Sequence, residues 1–108
     1  MSIAKLEWHD GILEAINIAA SGEVNISCSC YEVEDSKIRV VFCITCYEVV
    51  SMSNVIDFSA LIDNRRSGNI NNGRLGTPSK GVSVLKLFLT DGYVEIAAKK
   101  ITFKKTEE

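Results

Sequence analysis

Apolar residues recur at every second position through most of this chain, the period of strands with one face buried. The alternation is clearest where Val24, Ile26, Cys28 and Cys30 interleave with Asn25, Ser27, Ser29 and Tyr31, which turns the even positions inward. The polar stretch Glu32 to Lys37 predicts a reversal, after which Ile38, Val40, Phe42, Ile44 and Cys46 repeat the pattern. Paired antiparallel about that reversal, the two runs set Cys28 beside Phe42 and Cys46 beside Val24. The second run continues without a break from Tyr47 to Met52, long enough that it must bend around a core at a bulge.

Val82 to Phe103 predicts a hairpin closed by the two-residue turn Asp91-Gly92, because Asp-Gly suits the positive φ of a type I′ turn. That turn would set Thr90 against Tyr93, Leu89 against Val94, Leu87 against Ile96 and Leu85 against Ala98, leaving one wholly apolar face. Such a ribbon needs an opposing layer. Residues 3–7 extend into a first strand, Trp8-His9-Asp10-Gly11 marks a turn or bulge, and Ile12 to Ile18 reads as a strand covered on both sides. Ala19 to Glu23 is a turn.

The period changes once, over 54–63. There Val55, Phe58, Leu61 and Ile62 share a helical face, with Ser53 or Asn54 as N-cap and Asp57 in the first turn. Residues 64–81 hold four of the seven glycines and the only proline, and read chiefly as loop, with a short strand at Asn69 to Gly73 ending in an Asn-Gly turn. The expected architecture is mainly β in a single domain, 1–108. It is a curled antiparallel sheet or small barrel-like sandwich of about seven strands, with the one short helix plugging an end.

Composition narrows the function classes. With 108 residues, 46% hydrophobic, the chain suffices for one modest core, and a net charge of −2 argues against a nucleic-acid binder. Charge is uneven: residues 1–98 carry a net of −4 and residues 99–108 a net of +2, the latter from four lysines suited to guarding a last strand against aggregation. The first ten residues are interrupted by charge before any apolar signal region, and no run approaches a membrane span, so a cytoplasmic location with no membrane partner is expected. Cysteines in a reducing compartment are thiols more often than disulfides.

Cys28-x-Cys30 and Cys43-x2-Cys46 superficially match a four-thiolate zinc site. Zinc pairs come from tight turns, however, whereas these lie within strand patterns where Cys43 and Cys46 face opposite ways, so buried thiols, no metal and no cofactor are the expectation. Trp8-His9-Asp10 offers a stacking ring and a His–Asp pair able to orient a base, yet the sequence singles out no nucleophile, and a core Trp8 beside a capped turn explains the same residues. Asp57, Asp63 and Asn64 flank the helix at a spacing that fits no calcium loop and suits capping. Arg65, Arg66, Arg74 and Lys80 make the 64–81 segment locally basic and suited to an acidic protein surface, with Asn69 a further candidate binding residue. Gly68 to Asn71 is no phosphate loop, since no Gly-Lys-Ser/Thr follows.

Trp8-His9-Asp10, Asp63-Asn64 with Gly68-Asn69-Ile70, and the closing Leu89-x-Asp-Gly-Tyr-x-Glu resemble a set of small bacterial proteins, some similar to predicted immunity proteins encoded beside toxins. The resemblance implies a protein that binds and blocks a toxin without catalysis, and it transfers no binding residue. Two functions follow for testing. One is a non-catalytic module that binds another protein, or a second copy through a sheet edge. The other is a small enzyme or ligand-binding barrel using Trp8, His9 and Asp10 at a cavity mouth.

Overall fold

The computed structural model describes residues 7–31, 39–63, 68–79 and 81–105. Six strands, β1 (Glu7–Ile18), β2 (Val24–Tyr31), β3 (Arg39–Val55), β4 (Ile70–Ser79), β5 (Val82–Leu89) and β6 (Gly92–Lys105), close into an antiparallel barrel in the order β1-β2-β3-β6-β5-β4. One short helix, α1 (Phe58–Asp63), joins β3 to β4. Two three-stranded meanders are thus tied together by the long β3 and β6, which pair from Phe42–Lys105 to Val55–Tyr93. Closure on the other side is slight, for β4 meets β1 at the single pair Gly11–Ile70.

The alternating pattern places the core. Val24, Ile26, Cys28 and Cys30 of β2, Phe42, Ile44 and Cys46 of β3, and Val94, Ile96 and Ala98 of β6 are all buried. Each of the large aliphatic or aromatic members contributes about 1.5–3 kcal/mol by leaving water. The expected pairs Cys28–Phe42 and Val24–Cys46 are present. β3 also bends as expected: the register shifts between Val49 and Ser51, Glu48 takes a left-handed φ of 51°, and the Val49 N–H donates to the Gly22 carbonyl at 3.0 Å.

Three expectations need correction. The closing hairpin pairs Leu89 with Gly92, Leu87 with Val94, Leu85 with Ile96 and Ser83 with Ala98, a shift of two residues that keeps every apolar side chain on the inner face. Thr90 and Asp91 form the loop, and among them only Asp91 has positive φ, 59°. Gly92 is needed for closeness instead: a Cβ there would stand 2.2 Å from the Val55 carbonyl oxygen. The short strand expected at Asn69 to Gly73 does not end in a turn but continues to Ser79 as β4, held by pairing to β5 despite its glycines, because a tertiary partner overrides weak local propensity. The helix begins later than expected, with Asp57 as its cap: its carboxylate accepts from the Ala60 N–H at 3.0 Å. With residues 7–18 forming one bulged strand, the described strands number six, close to the expected seven.

Candidate functional site

β1 carries two different surroundings along its length, a tight seam near its start and an open edge near its end. At the seam, the register of β1 against β2 shifts between Glu7 and Ile12, and Asp10 adopts a left-handed φ of 66°. This bulge sends Trp8 inward. Its indole is 6% exposed, lies against the backbone of Gly73, where a Cβ would come within 2.6 Å of the ring, and tilts against Phe103 at 6.0 Å. Trp8 therefore anchors the core and has no free face for a ligand. His9 and Asp10 remain exposed with Nε2 and Oδ1 3.6 Å apart, and the Asp10 carbonyl accepts from the Arg39 guanidinium, which also covers the Tyr31 ring at 4.6 Å.

The residues after α1 complete the seam. Gly68, at a φ of 106°, lies so close to Asp10 that a Cβ would stand 2.5 Å from its backbone. Asn69 is buried and its bonds are structural: its N–H donates to the Gly11 carbonyl at 2.9 Å, its amide oxygen accepts from the Leu13 N–H at 2.8 Å, and its amide nitrogen reaches the Leu61 carbonyl at 3.4 Å. Its own carbonyl accepts from the Thr90 N–H at 3.0 Å. Trp8-His9-Asp10 and Gly68-Asn69-Ile70, separate in sequence, are thus two sides of one joint.

The remaining candidates disperse. Arg74 lies on the outer face of β4, 5.6 Å from the Phe88 ring and opposite Lys86, whose ammonium approaches Glu95 at 3.9 Å. Arg74, Lys86 and Glu95 border a shallow groove of about 400 Å³ with Gly76, Thr77 and Val84. Arg65 and Arg66 lie outside the described residues, as do Asn64, Lys80, the Glu32 to Lys37 reversal and residues 3–6 of the strand expected over 3–7. All four cysteines are thiols and no metal-holding cluster occurs among the described residues. A hydrogen bond in which the Cys28 S–H donates to Cys30, with burial, pushes the Cys28 thiol far up, and burial pushes the Cys46 thiol up to about 11, so both stay protonated and act as small apolar side chains. No described helix is long and apolar enough to cross a membrane.

The open edge was not singled out by sequence. Beyond Gly11, the edge of β1 that faces away from β2 has no strand partner among the described residues, and side chains of α1 stand across a groove from β1. Between them runs an apolar groove of about 250 Å³ lined by Leu13, Ala15, Ile16, Ile56, Phe58 and Leu61. An adjoining groove of about 190 Å³ shares Leu13, Glu14 and Leu61 and adds Ile12, Ile62 and Asn69. Leu61 turns toward the core, whereas Phe58 and Ile62 are 68% and 62% exposed and Ile18, two residues beyond Ile16, is 69% exposed. Phe58, Leu61 and Ile62 share one face of α1, and no residue of that helix is fully buried. Compared with known protein families, with curated proteins and with solved structures, the chain matches none, so its site is read from its own geometry.

Proposed function

We propose that this protein is a non-catalytic module that binds another protein, using the groove between β1 and α1. The observation that carries the reading is the pair of large apolar side chains lining that groove and the one adjoining it, Phe58 and Ile62, both more than half exposed, with Ile18 equally exposed further along β1. Exposed apolar surface gathered around a groove and bordered by polar residues is the chemistry of a protein contact. An immunity protein that neutralises a toxin is one member of this class, and the motif resemblance supports it. The alternative of a small enzyme or ligand-binding barrel built on Trp8, His9 and Asp10 has less support, since Trp8 faces the core and Asp10 shapes a bulge.

The test is affinity capture from the native host, wild type against Phe58→Asp and Ile62→Asp. A partner retained by wild type and lost by both variants, with unchanged far-UV circular dichroism, is the expected outcome. Capture of no protein, or turnover of a small-molecule substrate that His9→Ala abolishes, would overturn the reading.

A further inference from the structure

The edge of β1 has a chemistry that its apolar groove alone does not. Gly11 and Leu13 direct backbone groups away from β2, for there the Gly11 carbonyl and the Leu13 N–H meet Asn69. Leu13, Ile16 and Ile18 oppose Cys28, Ile26 and Val24, positions two apart on β2, so all three hold the same kind of ladder position despite the bulge at Glu14. The N–H and C=O groups of Ile16 and Ile18 therefore point outward as well, along the groove wall that Ile16 forms with Ile56 and Phe58. Unpaired strand groups beside side-chain pockets are complementary to another extended backbone. The charges favour a cationic one: Glu14 borders both grooves, Asp57 and Asp63 bracket α1, and no ion pair among the described residues involves them. A second copy is disfavoured, since it would bring the same three carboxylates to the contact twice.

Resting on the protein-binding reading, we propose that an extended segment of the partner adds as a strand to the β1 edge at Ile16 and Ile18. It seats one apolar side chain between Ile16, Ile56 and Phe58 and sets a basic side chain by Glu14. The probe is a capped nonapeptide of alternating valine and lysine, titrated against the whole chain by fluorescence anisotropy. Saturable binding is expected. It should weaken about tenfold when alternate amides along one edge of the peptide are N-methylated and hardly change when those of the other edge are, because only one edge meets β1. Ile18→Pro, which removes an outward N–H, should also weaken it about tenfold, Glu14→Gln a few-fold, and glutamate in place of the peptide's lysines should abolish it.

Equal losses on methylating either edge, no binding at millimolar peptide, or sedimentation showing that the chain pairs with itself through this edge would each overturn the proposal. A natural partner that Ile18→Pro captures as well as wild type, but Phe58→Asp does not, would defeat strand addition while leaving the protein-binding reading standing.

Discussion

The two ends of β1 differ in what fills the space beside them. At the seam, Asp10, Gly11, Gly68 and Asn69 press backbone on backbone, and the rare residue types are there because nothing larger fits or no other side chain bonds so many groups. Along the open edge, ordinary apolar residues stand exposed around a groove that no described strand fills. The residues that look most like chemistry thus hold the barrel shut, and those that look like plain core face outward. Unusual sequence marks geometric demand before it marks function.

Truncation at the seam should be most costly. Trp8→Ala removes the ring between Gly73 and Phe103 and should lower stability by about 3–5 kcal/mol in urea unfolding. A loss below about 1 kcal/mol would mean that the indole does not anchor the core. Gly68→Ala comes next, at about 2–3 kcal/mol, since it adds a Cβ against Asp10 in a left-handed conformation.

A smaller effect tests the core thiols. With its folded value raised from the ordinary 9.0 to about 11, Cys46 favours the fold fully at pH values below the ordinary one. The unfolded thiol ionises first as pH rises, so the urea midpoint should fall between these two values, and Cys46→Val should flatten that slope. A midpoint independent of pH in wild type would show that the thiol reaches water.

The least change in stability is expected on the surface. Phe58→Asp and His9→Ala should each alter stability by no more than about 0.5 kcal/mol, because both side chains are largely exposed. They should differ in binding: partner retention is lost with Phe58→Asp and kept with His9→Ala. The reverse outcome would move the functional surface from the groove to the seam.

Legibility followed the range of the interactions. The pairing of β2 with β3, down to Cys28 beside Phe42, was readable because side-chain alternation fixes which face is buried and a reversal fixes the register. The closing hairpin was readable in its face and not in its register, since a slip of two residues leaves the apolar set inward and only the packing of Gly92 on Val55 separates the choices. The length of β4 escaped, its run beyond Gly73 above all, because Asn71, Gly73, Gly76 and Pro78 are poor strand formers, and their strand exists through its neighbour β5. The groove escaped because it joins β1 to a helix over forty residues later.

Period-two hydrophobicity by itself determined that the chain is an antiparallel β structure, which side chains of β2, β3 and β6 enter the core, and that one short helix interrupts it. Tertiary structure alone decided that the six described strands close into a barrel, that Trp8-His9-Asp10 meets Gly68-Asn69-Ile70, and that β1 keeps one edge without a described strand partner beside Phe58. The division has a physical cause: alternation is a property of neighbouring residues, whereas closure, close backbone approach and an unfilled edge depend on which distant segments reach the same place first filled by the core.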